Sequence, residues 1–216
     1  EKVQKYNTII FDLDGTLLNT LEDLADSVNY CMRKFSCPER TLEEVRQFVG
    51  NGIRKLMERA VPMGTENPEF ENIFETFKSY YTEHCQIKTR AYPEIEELLS
   101  KLAENKCKMA IVSNKNIDAV KELNRLYFYN YIKLAVGEQQ GVRKKPFPDS
   151  VNHVIGELEA DKKHVLYVGD SEVDLQTAAN VPMPCISVLW GFRTEEELLA
   201  AGAVRENMIR TPQALL

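Results

Sequence analysis

The fold is decided by the stretch Thr8-Ile9-Ile10-Phe11-Asp12-Leu13-Asp14-Gly15-Thr16-Leu17-Leu18. An apolar run without alternation, rich in β-branched and aromatic residues, predicts a strand buried on both faces, as in a parallel sheet. Asp12 and Asp14 follow where that strand ends, and open α/β sheets bind ligands at that edge. Two unpaired carboxylates about 4 Å apart repel by roughly 4 kcal/mol at an effective dielectric constant of about 20. The pair therefore indicates a cation between the two acids or a proton on one of them.

Residues 20–84 form a block in which the periodic patterns are helical and none indicates a strand. Apolar residues recur at three- and four-residue spacing over 21–34, which predicts an amphipathic helix. The segments 20–23 and 41–44 each place an acid three residues after a threonine, a spacing typical of the capping box that opens a helix. A further helix is predicted to begin after Pro68.

From residue 92 onward the pattern changes to strands that alternate with helices. Strands are predicted at 108–113, 132–136, 165–168 and 185–189, and helices at 117–126, 149–158 and 172–180. Such alternation predicts a parallel, doubly wound, Rossmann-like sheet with right-handed crossovers. We therefore expect an α/β core formed by residues 1–18 and 86–216, with a helical cap domain, 19–85, inserted after the first strand.

Composition limits the classes of partner. The 216 residues are 44% hydrophobic and 28% charged, with a net charge of −6 and no long basic run, so we expect no nucleic-acid partner. No apolar segment approaches the ~20 residues needed to span a bilayer, and the sequence has no signal-peptide core, so we expect no membrane partner. The five cysteines are scattered without a Cys-x-x-Cys pair, which predicts free thiols and a cytoplasmic location.

Later strand ends also carry polar residues. Ser113 ends a predicted strand, where its hydroxyl and the following backbone N–H groups suit a phosphate oxygen, although taken alone a serine here more often caps a helix. Lys145 precedes Pro146, which restricts the backbone and presents the ammonium rigidly; the alternative is a solvated basic turn. Asp170 follows an apolar run as Asp12 does, and it also suits the N-cap of the next helix.

In this order these residues resemble the four signatures of the haloacid dehalogenase superfamily, most of whose members are phosphatases that use an aspartate nucleophile and Mg²⁺. The matching residues are Asp12-Leu13-Asp14-Gly15-Thr16-Leu17, Ser113, Lys145-Pro146, and Gly169-Asp170 with Asp174. The resemblance covers the whole chain. It narrows to the phosphoglycolate phosphatases, because 48–60 resembles their substrate-specificity segment and 190–199 resembles their tail.

The chain departs from the pattern of that subgroup outside the catalytic set. The departures are Glu94, Val181-Pro182, Tyr127-Phe128-Tyr129 and Arg205. Since none is one of the matched residues, they bear on the exact substrate and leave the expected chemistry unchanged.

The resemblance implies a catalytic role for each matched acid. Asp12 would attack phosphorus and form an aspartyl-phosphate. Asp14 would protonate the leaving alcohol and then activate the hydrolytic water. Mg²⁺ would be bound by the carboxylates of Asp12 and Asp170 and by the backbone carbonyl of Asp14.

The remaining matched residues would handle the phosphate and the substrate. Ser113, Asn114 and Lys145 would bind the phosphate oxygens, and Lys145 is preferred to Lys144 because it adjoins the proline. Asp174 would orient Lys145 or a metal-bound water. In the cap, either Arg54 or the backbone N–H groups around Gly52, within 50–52, would bind the carboxylate group of 2-phosphoglycolate. The alternative for Arg54 is a solvated helix face.

The implied substrate is a small phosphorylated metabolite, and the implied state is a monomer or a homodimer. A sugar phosphomutase on the same scaffold would share all four signatures, but segment 49–54 argues for hydrolysis. A dehalogenase or a phosphonatase is disfavoured because Asp14 occupies the acid/base position, which those branches fill with another residue. A catalytically silent binding module is disfavoured because every catalytic position is filled.

Overall fold

A computed structural model describes residues 5–216 and divides them into two compact units. The first unit contains the residues up to Leu17 together with Ala91–Leu216, and the second contains Leu18–Arg90. The second unit therefore ends at Arg90, beyond the predicted boundary at residue 85. The reason is a clasp in which Asp23 accepts hydrogen bonds from the backbone N–H groups of Lys88 and Thr89, at 2.8 to 3.0 Å.

The strands and helices follow the predicted alternation. The strands are β1 Thr8–Phe11, β2 Leu18–Asn19, β3 Arg90–Ala91, β4 Lys108–Asn116, β5 Leu134–Glu138, β6 Val165–Gly169, β7 Cys185–Val188 and β8 Met208–Ile209. The helices are α1 Leu21–Lys34, α2 Leu42–Phe48, α3 Ile53–Ala60, α4 Phe70–His84, α5 Ile95–Glu104, α6 Ile117–Tyr127, α7 Asp149–Glu157, α8 Glu172–Asn180 and α9 Glu195–Ala200. Among these described helices, none is long and apolar enough to cross a membrane.

A six-stranded parallel sheet forms the first unit, in the order β5-β4-β1-β6-β7-β8. All four residues of β1 are buried, because helices cover both faces of such a sheet. Ile10 pairs in register with Ala110 of β4 and Tyr167 of β6, so the ends of these three strands lie side by side. The predicted doubly wound α/β fold is confirmed.

Strand β4 contains a bulge at its carboxyl end. Val112 pairs with Val136 and Asn116 pairs with Glu138, so β4 advances four residues where β5 advances two, and it carries two extra residues. Ser113, Asn114 and Lys115 lie inside this bulge, and all three are buried. The predicted strand stops at Ser113, because a sequence pattern does not show a bulge.

The second unit is helical, and one of its two predicted capping boxes is present. Thr41 and Glu44 bond each other's backbone N–H groups and open α2. The box predicted at Thr20 is wrong: Thr20 makes no side-chain capping bond, and Asp23 turns to the 88–89 backbone instead. That backbone is far away in sequence, so the local Thr-x-x-Asp pattern could not reveal the competition.

One smaller prediction in the first unit also differs from the structure. The strand predicted at 132–136 begins at Leu134, because the N–H of Ile132 closes a turn with the carbonyl of Phe128 at 2.9 Å. Asp149 is the first residue of α7, where the predicted helix also begins, and its carboxylate pairs with Arg143 at 2.8 Å.

Candidate active site

Three acids meet at the carboxyl edge of the sheet. Asp12 follows β1, Asp170 follows β6 and Asp174 lies in the first turn of α8, and their carboxylate oxygens lie within 4.8 Å of one another. The neighbouring positions of β1 and β6 produce this arrangement, since the N–H of Asp12 donates to the carbonyl of Val168 at 2.9 Å. Residues 158 positions apart in the chain thus share one small site.

Glycines make room for these acids. A Cβ atom at Gly169 would lie 2.2 Å from Cγ of Asp174, and one at Gly15 would lie 2.2 Å from Oδ2 of Asp170. Gly191 is equally constrained, because its Cβ would lie 2.5 Å from that of Asp170. Gly15 also has a φ of +86°, which favours glycine. The close packing of the acids therefore depends on the absence of these side chains.

Asp174 is fully engaged by the protein. Its Oδ1 accepts from Nζ of Lys145 at 3.0 Å and from the hydroxyl of Tyr167 at 2.6 Å. Its Oδ2 accepts from the backbone N–H groups of Asp170 and Ser171 at 3.0 and 3.2 Å. Burial opposes its charge, but Lys145 and the hydrogen bonds outweigh burial and lower the pKa of Asp174. Asp174 therefore positions Lys145 and the Asp170 turn, while Ser171, and not Asp170, is the N-cap of α8.

The other two acids are costly to ionise. Oδ1 of Asp170 accepts from the Thr16 hydroxyl at 3.2 Å, and Oδ2 accepts from the N–H of Phe192 at 3.0 Å. Burial, with the negative charge of Asp174, raises the pKa of Asp170 to about 7. Burial and the same charge raise the pKa of Asp12 well above its usual value, although Lys145 opposes the shift.

Lys145 provides the positive charge beside Asp12. Its Nζ lies 3.1 Å from Oδ1 of Asp12 and 2.7 Å from the Tyr167 hydroxyl, in addition to the Asp174 contact. Burial alone would lower the pKa of Lys145, but the two carboxylates outweigh burial and raise it. The side chain of Lys144 is 38% exposed, and its Nζ lies 4.0 Å from Glu138. Of the two neighbouring lysines, Lys145, which adjoins the proline, is therefore the one beside Asp12.

Ser113 and Asn114 are both buried in the β4 bulge, but they differ in what they offer a phosphate. The Ser113 hydroxyl accepts the N–H of Lys115 at 3.0 Å, which leaves its own O–H as a donor. The Asn114 amide is bonded at both ends to the backbone of Lys145, accepting its N–H at 2.8 Å and donating to its carbonyl at 2.9 Å. The Asn114 side chain thus holds the lysine loop, and phosphate binding by Asn114 stays a prediction.

Lys115 is a charged residue of the site that sequence reasoning missed. Its Nζ lies 3.3 Å from Oδ2 of Asp14, and the lysine side chain is only 4% exposed. Oδ1 of Asp14 is buried and has no hydrogen-bond partner among residues 5–216. Each acid of the Asp-x-Asp pair therefore has its own buried lysine, with Lys145 at Asp12 and Lys115 at Asp14.

Tyr167 and Thr16 are two further residues whose roles the sequence did not reveal. Tyr167 is an aromatic residue within an apolar strand, where its hydroxyl gives no periodic signal, yet that hydroxyl bridges Lys145 and Asp174. Burial, with the charge of Asp174, raises the pKa of Tyr167 well above its usual value, so the phenol remains a donor. Thr16 belongs to the first signature, but its bond to Asp170 links residues 154 positions apart.

The predicted cap residues lie in the second unit. Arg54 donates to Oε1 of Glu71 at 2.7 Å, and its guanidinium lies over the rings of Phe70 and Phe74 at 5.1 and 5.2 Å. Arg54 therefore makes specific contacts with an acid and two aromatic rings, which a simple solvated helix face would not include. Gly52 precedes α3 with a φ of +88°. A role for either residue in substrate recognition stays a prediction.

The donor set fits a hard divalent cation. The carboxylates of Asp12 and Asp170 are oxygen ligands of the kind that Mg²⁺ prefers. Burial raises the pKa of both carboxyl groups, as expected where a positive charge belongs between them. Asp174 completes the cluster of three, but its oxygens already accept protein hydrogen bonds, so it suits a supporting role.

Comparison with known proteins agrees with this geometry. The family model described as haloacid dehalogenase-like hydrolase matches residues 9–188, which includes β1 from its second residue and every acid of the site. The chain belongs to the haloacid dehalogenase-like hydrolase family. The predicted resemblance to this superfamily is confirmed.

Relatives within the haloacid dehalogenase-like hydrolases extend over most of this chain. A phosphoglycolate phosphatase from Rhodobacter capsulatus is 32% identical over 189 residues, covering 86% of this chain and 85% of the relative. Another, from Aquifex aeolicus (strain VF5), is 30% identical over 185 residues, covering 85% of each chain.

Solved structures of this family have the same fold. A crystal structure from Lactobacillus delbrueckii subsp. bulgaricus, provisionally named phosphoglycolate phosphatase, has a TM-score of 0.92 and 34% identity. The similarity covers 97% of this chain and 96% of that structure. A predicted phosphoglycolate phosphatase from Haemophilus somnus has a TM-score of 0.87 at 26% identity, with 96% and 95% coverage.

Proposed function

We propose that this enzyme is a Mg²⁺-dependent phosphatase that hydrolyses a small phosphate monoester, with 2-phosphoglycolate as the expected substrate, through an aspartyl-phosphate on Asp12. That the chain is a phosphatase follows from its family and its relatives. The observation that carries the proposed mechanism is the single cluster of Asp12, Asp170, Asp174 and Lys145. The named activity of the relatives supports the choice of substrate.

Charge determines what Asp12 needs in order to react. A phosphate dianion and a carboxylate repel each other, so the attacking oxygen must be held beside positive charge. Lys145, 3.1 Å from Asp12, supplies this charge from the protein, and Asp174 with Tyr167 fixes its position. Mg²⁺, held by Asp12, Asp170 and the backbone carbonyl of Asp14, would neutralise further negative charge and orient the phosphoryl oxygens when bound.

Asp12 would attack phosphorus in line with the leaving oxygen and form the aspartyl-phosphate. The Ser113 hydroxyl and the Lys145 ammonium would donate to the equatorial oxygens as negative charge spreads over them. Asp14 would give its proton to the leaving alcohol and then, as a carboxylate, take a proton from the attacking water. The unpartnered Oδ1 of Asp14 supports this role, since this oxygen still lacks a hydrogen bond within residues 5–216.

A trapping experiment tests the proposed intermediate. The enzyme is mixed with ³²P-labelled 2-phosphoglycolate and Mg²⁺, quenched in acid within one turnover, and examined for label bound to protein. We expect label at Asp12, located by peptide mapping, and none when EDTA precedes the substrate. A wild-type enzyme that turns over the ester without ever acquiring label would overturn the covalent mechanism.

The same reaction separates hydrolysis from phosphoryl transfer. Inorganic phosphate is expected as the product even when a hexose phosphate is added in excess, because water is the proposed acceptor. Transfer of label to the hexose phosphate would instead identify the phosphomutase alternative. A cytoplasmic location and a monomeric or homodimeric state stay predictions.

A further inference from the structure

We propose that Lys115 determines specificity by binding a carboxylate carried by the leaving alcohol, so that the enzyme selects acidic phosphate esters. This inference rests on the proposed phosphatase function and assigns its substrate class to one side chain of the first unit. The observations that carry it are the position of Lys115 beside Asp14, the burial of its ammonium, and its separation from the lysine that serves the nucleophile.

The fold builds the position of Lys115. Lys115 lies inside the β4 bulge, and its buried side chain brings Nζ beside Asp14. Gly137 on the neighbouring strand lets the bulged backbone approach, because a Cβ atom there would lie 2.3 Å from the Lys115 carbonyl oxygen. The close packing of the bulged backbone and the burial of the lysine side chain thus bring the ammonium beside Asp14.

The contact with Asp14 identifies the part of the substrate that Lys115 can reach. A general acid must lie about 3 Å from the oxygen that it protonates. Since Nζ of Lys115 lies 3.3 Å from Oδ2 of Asp14, the leaving oxygen lies within roughly 6 to 8 Å of the ammonium, whichever oxygen of Asp14 carries the proton. In an ester such as 2-phosphoglycolate, one methylene carbon places a carboxylate oxygen about 3 Å from the leaving oxygen. The carboxylate of the substrate could thus approach the Lys115 ammonium closely enough to form an ion pair.

The two buried lysines serve opposite sides of the reaction. Lys145 contacts Asp12, Asp174 and Tyr167, all on the side of the nucleophile. Lys115 contacts Asp14, on the side of the leaving group. A buried ammonium is costly unless it is close to negative charge. The carboxylate of an acidic leaving group would add such a charge beside Lys115, whereas a neutral alcohol would not.

The test compares two esters that differ in the charge of the leaving group, 2-phosphoglycolate and ethyl phosphate. The specificity constant, kcat/KM, is measured for each ester with wild type, Lys115→Met and Lys144→Met. Lys144 is the matched control, because its side chain is partly exposed and lies near Glu138. We expect Lys115→Met to lose about 30-fold on the acidic ester, mainly through KM, and less than about 3-fold on ethyl phosphate.

Each other result has a distinct meaning. Equal losses on both esters would show that Lys115 only positions Asp14, and would overturn the specificity role. Wild-type turnover of both esters with equal kcat/KM would overturn it too, while leaving the proposed phosphatase function intact. Absence of turnover with every phosphate ester would instead refute the proposed function itself.

A second measurement covers the case in which Lys115→Met does not fold. Inhibition of the wild type by phosphonoacetate is compared with inhibition by ethylphosphonate, which lacks the carboxylate, and the comparison is repeated with Lys115→Gln. We expect phosphonoacetate to bind at least about 10-fold more tightly than ethylphosphonate to wild type, and this preference to vanish in Lys115→Gln. Absence of the preference in wild type would overturn the proposal, and a preference that survives the substitution would assign the carboxylate to another residue.

Discussion

The Nζ atom of Lys145 lies 3.1 Å from Oδ1 of Asp12, and both groups lie at the end of strand β1. The lysine carbonyl and N–H are held by the Asn114 amide, and its ammonium is held by Asp174 and Tyr167. Hydrogen bonds therefore hold Lys145 at its backbone and at its ammonium, and so fix the positive charge that faces the proposed nucleophile. Four consequences of this arrangement and of the acids around it can be measured.

Asp12→Asn should abolish turnover and preserve the fold. The amide cannot attack phosphorus, so we expect kcat to fall by at least about 10⁴-fold. Because burial and Asp174 oppose the charge of Asp12, its removal should leave the melting temperature unchanged or raised. Asp149→Asn, which changes the half-buried partner of Arg143, is the control and should keep normal activity. Near-normal hydrolysis by Asp12→Asn would refute the assignment of the nucleophile.

Asp14→Asn should discriminate between leaving groups. A phenolate with a low pKa leaves without a proton, whereas an alkoxide does not, so loss of the acid should slow alkyl esters much more than p-nitrophenyl phosphate. We expect the ratio of kcat values for the aryl and alkyl esters to rise at least about 10-fold. An equal fall for the two esters would assign Asp14 another role.

Gly169→Ala should strongly destabilise the protein, whereas Gly156→Ala should not. A methyl group at Gly169 would collide with the Asp174 carboxyl, while at Gly156 within α7 nothing lies within 4 Å. We expect the free energy of unfolding to fall by about 2–3 kcal/mol for the first variant and to stay constant or rise by about 0.5–1 kcal/mol for the second. Denaturant titration of both variants measures the difference. Similar free energies of unfolding for the two variants would show that the Asp174 side chain moves aside for the methyl group without loss of stability.

Mg²⁺ should stabilise the protein more strongly as the pH rises. The folded-state pKa of Asp170 is about 7, so without a cation the folded protein keeps a proton that the unfolded chain loses near pH 4. Protonation of Asp170 therefore favours the folded state at low pH, and this contribution to the free energy of unfolding is lost as the pH rises from about 4 to 7. A bound cation replaces the proton, so the increase in melting temperature caused by Mg²⁺ should grow from about pH 5.5 to about pH 8.

Asp170→Asn is the control for this pH dependence. Without the carboxylate, both the affinity for Mg²⁺ and the rise of its stabilising effect with pH should be reduced, as measured by thermal shift at several Mg²⁺ concentrations. An undiminished pH-dependent shift in Asp170→Asn would place the cation elsewhere.

The sheet was predictable because its signals are local. The buried run 8–11, and the strand–helix alternation after residue 92, identify the parallel fold without any knowledge of tertiary contacts. The alignment of strand ends then places Asp12 beside Asp170, since parallel strands end at one edge. Lys145 needed the family resemblance as well, because by itself a lysine before a proline fits a solvated turn equally well.

The features that were missed depend on contacts between distant segments. The clasp of Asp23 on the 88–89 backbone displaces the capping box expected at Thr20, and nothing within 20–23 reveals it. Lys115 follows the predicted end of its strand, and its role escaped notice because a bulge leaves no mark on the hydrophobic pattern. In each case the competing partner lies far along the chain, where periodicity carries no information.

Because β4 carries two extra residues, the number of residues in this segment, as well as their identity, determines which side chain faces Asp14. Deleting one of the residues 113–115 would shift the following side chains by one position and present a different group to Asp14, while the nucleophile on β1 stays in place. Length variation at this strand end therefore offers natural or laboratory evolution a route to new leaving groups.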